Sequence, residues 1–370
     1  MKNKVKFSEI IKYFSPAWYA SVMGTGGLAN VFYMLSSKMH FLKSFAISLF
    51  FLNILLFFFL LIPWILRWIL AFDKVIEDLK HPVMSNFFVT MPIGGLILGT
   101  NFFIIGKEFI SMSIILGFGI FFWIFSVALS LIFGVFVTYN MMLSENIGPE
   151  LTNYSWYITP VASVAVPLLG NILANFYLKT NIEFAKLINI IDISFYGIGM
   201  ILFIILSSII LNRFINHSMP HAATTPTFWI ILGPIGIGQV TLSGIADISK
   251  KLGLISSGDT LKLLSIILWG FGLWAFLLTI IVTLNYIRRG GIPFSLSWWA
   301  FIFPLSAYTM STLNVYMYTK IKLIYWYALF LSSILTLIWV STFIRSLIGT
   351  LNGKLLIPHQ KTEVNQVKIN

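Results

Sequence analysis

Pro226-Thr-Phe-Trp-Ile-Ile-Leu-Gly-Pro-Ile-Gly-Ile-Gly238 sets a proline and an interfacial aromatic ahead of an apolar run broken by glycine and proline. The arrangement recurs at Pro16-Ala-Trp18, at Pro82-Val-Met-Ser-Asn-Phe87, between Pro149 and Trp156, and between Pro293 and Trp298. Differences of residue number put these prolines 66, 67, 77 and 67 residues apart. A near-constant period of that size marks one structural unit used repeatedly. A longer, smoother run of Leu, Ile and Phe separates each broken segment from the next. The unit reads as a helical hairpin. Five hairpins read as a ring, and the hole in that ring is where function is expected.

Composition places the ring in a bilayer. The 370 residues are 58% hydrophobic and 10% charged, with mean hydropathy +0.91, whereas soluble domains carry about 25% charged residues. A spanning helix needs about 20 mainly apolar residues. Ten windows qualify: 15–35, 42–71, 85–105, 111–142, 156–177, 187–211, 227–248, 261–287, 297–318 and 323–348. The expected division is an N-terminal segment 1–14, a pore domain 15–349 and a C-terminal tail 350–370. The basic first fourteen residues lead into a full-length apolar run without a small-residue cleavage site, so the first helix is expected to be retained. With no cysteine, disulfides, thiolate chemistry and sulfur-ligated metals drop out. The net charge of +12 is scattered through loops and termini, which fits lipid headgroups rather than nucleic acid. Arg67, Arg213, Arg288, Arg289 and Arg345 all fall on the side of the termini. The positive-inside rule then puts both termini in the cytoplasm of a multi-pass cell-membrane protein.

Odd and even segments differ in kind. The even ones are nearly continuous Phe, Leu and Ile, interrupted only by Pro63, and suit a lipid-facing scaffold. The odd ones carry Gly24-Thr-Gly-Gly27, Pro92-Ile-Gly-Gly95, Pro160 with Pro167, Gly233-Pro-Ile-Gly236, and Pro304. Proline removes a ladder hydrogen bond, and a freed carbonyl in hydrocarbon must face protein or water. The expected pore-lining kinks are therefore Gly24, Gly26, Pro92, Gly94, Pro160, Pro167, Pro234, Gly236 and Pro304. Close packing through small residues is the competing explanation for each one. The prolines and Trp18, Trp156, Trp229 and Trp298 start all five odd helices from one side, where their positive dipole ends would attract anions.

Several of these motifs resemble a known family. Ser15-Pro-Ala-Trp-Tyr-Ala-Ser-Val-Met-Gly-Thr-Gly-Gly-Leu-Ala29 is similar to its first helix and His81-Pro-Val-Met-Ser-Asn-Phe-Phe88 to the start of its third. Pro226 to Gly238 and Trp298-Trp-Ala-Phe-Ile-Phe-Pro304 resemble its seventh and ninth. This is the tellurite-resistance/dicarboxylate transporter family, which includes slow-type anion channels, malate permease and sulfite exporters. The resemblance runs from about residue 15 to residue 348. It implies ten helices in five hairpins with quasi-fivefold symmetry, odd helices around a central anion pore, and a homotrimer with one pore per subunit. It also implies a phenylalanine plug in the ninth helix, matching Phe303, with Phe301 as the rival assignment.

Phe303 precedes Pro304, and a residue before proline is pushed from helical geometry, which would aim its ring at the axis. A large apolar ring in a narrow pore gates by excluding water and ions. The odd segments are almost free of Asp, Glu, Lys and Arg, with Asp247 near one end of the seventh. Such a pore selects anions weakly, through dipoles, hydroxyls and ease of dehydration. Thr25, Thr90, Ser163, Gln239 and Thr309 are the available contacts, although each could instead bond a helix carbonyl. Gly236-Ile-Gly238 lacks the strand and lysine of a nucleotide loop. His217 and His221, in a loop with Pro220 between them, read as a solvated pair rather than a metal site. Asp192 and Glu145 read as interfacial or cap residues near helix ends. No catalytic cluster, cofactor or metal is expected. The leading reading is an anion channel or uniporter for small inorganic or carboxylate anions. The alternative is a proton-coupled dicarboxylate (malate) carrier or a sulfite exporter, kept open by Asp192 and Asp247.

Overall fold

The structure, a computed structural model, describes residues 6–144 and 147–356, which are all-helical with no strand. The α-helices are α1 (Phe7–Lys12), α2 (Tyr19–Leu35), α3 (Leu42–Leu70), α4 (Phe72–Lys80), α5 (Thr90–Ile104) and α6 (Met112–Leu143). They continue with α7 (Ile158–Tyr177), α8 (Ile182–Asn216), α9 (Leu232–Lys251), α10 (Asp259–Arg288), α11 (Trp299–Thr319) and α12 (Lys322–Leu351). Eight helices are long and apolar enough to cross a membrane. The sequence windows suggested ten. Among the described residues α2 and α11 fall short: in α2, Ser21, Gly24, Thr25, Gly26, Gly27 and Asn30 dilute the apolar residues. In α11, Ser306, Thr309, Ser311, Thr312 and Asn314 dilute the apolar residues.

The two kinds of segment do separate. Burial reaches 94% in the Met84–Glu108 span but only 33% in Leu42–Leu70 and 22% in Lys322–Leu351. Helices α2, α5, α7, α9 and α11 form the inside: each packs on the next, and α11 packs back on α2. Each outer helix covers a seam. Thus α3 touches α2 and α5, α6 touches α5 and α7, α8 touches α7 and α9, α10 touches α9 and α11, and α12 touches α11 and α2. Arg67 of α3 is buried and pairs with Asp78, which ties the amphipathic α4 to the bundle.

Every inner helix opens with a 3₁₀ turn: Pro16–Trp18, Met84–Val89, Tyr154–Tyr157, Ala222–Ile231 and Leu296–Trp298. These turns also touch one another in the same cyclic order, so the five helices start on one side. A side chain caps each start by accepting the N–H two residues on. Ser15 Oγ takes Ala17 at 3.3 Å, His81 Nδ1 takes Val83 at 3.1 Å and Asn153 Oδ1 takes Ser155 at 2.9 Å. His221 Nδ1 takes Ala223 at 3.2 Å and Ser295 Oγ takes Ser297 at 3.3 Å. Such side chains satisfy amides that have no intrahelical partner. His221 is thus a capping residue; among the described residues no cluster of metal ligands exists.

The expected mid-membrane breaks need correction. Pro92, Pro160 and Pro234 are each the third residue of α5, α7 and α9, helices that directly follow a 3₁₀ turn. They mark the passage from 3₁₀ turn to α-helix. Helix α2 runs through Gly24 and Gly26 unbroken, and only Pro167 and Pro304 lie in helix interiors of the inner set.

Candidate functional site

A narrow cavity of about 20 Å³ lies where the five inner helices meet. Helix α2 gives it Gly27 and Asn30, α5 gives Ile97 and Thr100, α7 gives Leu168, and α9 gives Ile237 and Val240. Helix α11 gives Phe303, Ser306, Ala307 and Met310. A space of that size holds about one water molecule. Toward the C-terminal ends of the same helices it widens into a vestibule of about 360 Å³, with Thr100, Leu168, Val240 and Met310 lining both. No charged side chain lines the narrow part. Asp247 is the charged residue of the vestibule, and its carboxylate pairs with Lys262 of α10 at 2.6 Å.

Phe303 reaches the constriction by helical phase, not by a bend. Residues 303, 306, 307 and 310 follow the i, i+3, i+4, i+7 rule for one face of a helix, and α11 is helical throughout them. The expected departure from helical geometry before Pro304 is absent; instead Ser306 Oγ donates to the Phe303 carbonyl at 2.7 Å. Phe301, two residues away, is on the other side of α11. It packs between Trp229 and Trp298 and lines an outward groove with Leu337 and Ile338 of α12.

The anticipated hydroxyl and amide contacts lie elsewhere. Thr25 Oγ1 accepts the Trp339 indole N–H at 3.1 Å, facing α12. Thr90 Oγ1 donates to the Pro16 and Phe87 carbonyls. Thr309 donates to its own helix at Leu305 and Ser163 is buried on α7. Gln239 Nε2 donates to Asn314 Oδ1 at 2.9 Å and so ties α9 to α11. None of the five lines the constriction. The glycines act mainly in packing: a Cβ on Gly24 would strike Ile302, on Gly26 Asn53 and Asn101, and on Gly94 it would sit close to Val22. At Gly236 it would meet the Ala307 and Tyr308 backbone at 2.5 Å.

Asn30, Thr100 and Ser306 are the polar groups that do line the narrow part, and the sequence reading missed them. A signal existed: on α2, Gly27, Asn30 and Met34 recur at helical spacing, as do Ile97, Thr100 and Ile104 on α5. Asn30 belongs to a chain of carboxamides. Asn53 Nδ2 of α3 donates to Asn101 Oδ1 at 3.0 Å. Asn101 Nδ2 donates to the Gly26 carbonyl at 3.0 Å and to Asn30 Oδ1 at 2.8 Å.

Asp192 also differs from expectation. It is fully buried inside α8 rather than near a helix end. Its Oδ1 accepts from Trp123 Nε1 at 3.1 Å, and it abuts Gly170 of α7. Glu145 lies outside the described residues.

These features define a multi-pass helical membrane protein whose inner helices surround a narrow, uncharged cavity. The family model for voltage-dependent anion channels matches residues 13–347, and the chain belongs to that family. It is 37% identical over 351 residues to an uncharacterized transporter of Methanocaldococcus jannaschii, covering 95% of this chain and 97% of that one. It is 26% identical over 345 residues to a sulfite efflux pump of Trichophyton rubrum, covering 90% of each. It is 23% identical over 387 residues to a putative malic acid transport protein of Schizosaccharomyces pombe, covering 99% of this chain and 86% of that one.

Proposed function

We propose that this protein is an anion channel or uniporter whose central pore is occluded by Phe303. The observation that carries this reading is the position of Phe303 at a constriction of about 20 Å³ shared by all five inner helices. In this reading α2 and α11 also cross the membrane, giving ten spans in five inner–outer pairs with quasi-fivefold symmetry, and Phe301 is a packing residue. The cyclic packing of the inner helices and of their 3₁₀ turns supports it. An uncharged constriction selects anions by dehydration cost and a few hydrogen bonds, which favours large, easily dehydrated monovalent ions. Both termini lie in the cytoplasm of the cell membrane, residues 15–349 form the pore domain, and the assembly is a homotrimer with one pore per subunit. Purified protein in liposomes tests the function: chloride, nitrate, sulfite and malate flux, with and without a pH gradient, should run passively and rise on Phe303→Ala.

The second reading is a proton-coupled carrier for malate or an exporter of sulfite, in line with the relatives. Two observations favour it: the carboxyl of Asp192, buried against the inner helix α7, and Asp247 in the vestibule. Uphill anion uptake driven by a pH gradient would select it over the channel.

A further inference from the structure

We infer that Asn30 is a hydrogen-bond donor to the passing anion at the constriction, aimed there by Asn101 and Asn53. The inference rests on the proposed pore and adds to it a specific contact. It starts from the Gly26 carbonyl, which can only accept. Its partner on Asn101 must therefore be the amide nitrogen, which donates to it at 3.0 Å. The same nitrogen donates to Asn30 at 2.8 Å, so the Asn30 atom facing it must be the carbonyl oxygen. The other end of Asn101 is then oxygen, and it accepts from Asn53 Nδ2 at 3.0 Å. The chain runs one way, from outer helix α3 through α5 to α2, and no member can flip without setting two donors or two acceptors against each other.

The chain ends on the amide nitrogen of Asn30. Asn30 is 2% exposed, and among the described residues this nitrogen has no acceptor. The residue lines the cavity with Phe303 and Ser306. Ser306 and Thr100 spend their protons on Phe303 and Leu96 carbonyls, which leaves Asn30 as the side chain with N–H groups to offer. With no acceptor among the described residues, that nitrogen is free to bond whatever occupies the cavity the residue lines, and an anion is a partner that fits. Chloride, nitrate or a carboxylate or sulfite oxygen all supply the acceptor. The site prefers ions of high charge density, which gain most from an N–H. It thereby opposes the bias of an apolar constriction toward easily dehydrated ions.

The experiment uses Phe303→Ala, whose raised flux reports on the pore reading by itself. Adding Asn30→Leu should lower chloride flux about tenfold and raise the thiocyanate-to-chloride permeability ratio severalfold. An unchanged ratio with chloride flux still high overturns the inference while leaving the pore intact. If Leu at position 30 prevents folding, Asn30→Asp keeps the oxygen that Asn101 needs and replaces the donor. It should abolish chloride flux, and chloride flux at the Phe303→Ala level overturns the inference. If Phe303→Ala itself fails to conduct, the gate reading falls, and bromide-soaked crystals of that variant decide on Asn30. A bromide beside its amide nitrogen that is lost with Asn30→Leu supports the site; none there overturns it.

Discussion

Phe301 and Phe303 stand two residues apart on α11 and face opposite ways: Phe303 lines the narrow space between the inner helices, while Phe301 meets Trp229 edge-on at 5.5 Å on the outer side. Phe303→Ala should raise anion flux by at least about tenfold, because the apolar barrier to ions is removed. Phe301→Ala should leave flux near the parent value and lower thermal stability, with about 3–5 kcal/mol as the upper range for a truncated buried phenylalanine. Liposome flux and thermal unfolding of the purified variants read both. The reverse pattern would show the two roles exchanged.

The packing role of Gly236 gives a second prediction. Any side chain there meets the backbone of Ala307 and Tyr308, which cannot move aside without parting α9 from α11. Gly236→Leu should therefore prevent recovery of folded protein. Gly270 on α10 has open space around its would-be Cβ, so Gly270→Ala should stabilise by up to about 1 kcal/mol through helix propensity. Size-exclusion profiles and melting temperatures distinguish the pair.

Removing the middle of the carboxamide chain should be more damaging than removing an end. Asn101→Leu strands Asn30 Oδ1 and Asn53 Nδ2 together and takes a second partner from the Gly26 carbonyl. Each stranded buried group costs about 1–3 kcal/mol. Asn53→Leu frees only one oxygen of Asn101 and should melt at a higher temperature than Asn101→Leu. Equal melting temperatures would mean that the chain contributes little to stability.

Asp192 and Asp247 separate channel from carrier. Asp192→Asn keeps an oxygen for Trp123 Nε1 and removes the titratable group. Asp247→Asn weakens a half-exposed pair with Lys262, a kind of contact worth about 0–1 kcal/mol. For a passive pore, both variants should retain flux, and a pH gradient should drive no net uptake in either. A preference for divalent anions that disappears with Asp247→Asn, or gradient-driven uptake lost with Asp192→Asn, would favour the carrier.

The inside–outside division of helices was legible because proline, glycine and tryptophan punctuate the chain at a regular period. Their local meaning was less legible. Pro92, Pro160 and Pro234 look like interruptions in a one-dimensional apolar run, yet a 3₁₀ turn before each moves the helix start forward and makes the proline a first-turn residue. Phe303 does line the narrow cavity, but spacing along α11, not the following proline, puts it there. Hydroxyls such as Thr25 and Thr309 were overvalued because nothing in a sequence shows which face of a buried helix meets a neighbour. Asn30 went unnoticed for the complementary reason. Its donor end is directed by Asn101 and Asn53, residues that only the packing of α2, α3 and α5 brings together.

The cyclic set of inner helices belongs to one polypeptide, and that has a consequence for how closure is encoded. Five identical chains around an axis would be obliged to repeat whatever group one of them placed there. A single aromatic plug is then unavailable, since five phenylalanine rings would compete for room fit for one. Here α11 brings Phe303 while its neighbours bring Gly27, Ile97, Leu168 and Ile237. Linking the repeats covalently frees each to diverge. One unit can carry a large aromatic ring, another a carboxamide, and a single codon change can alter either without touching the other four.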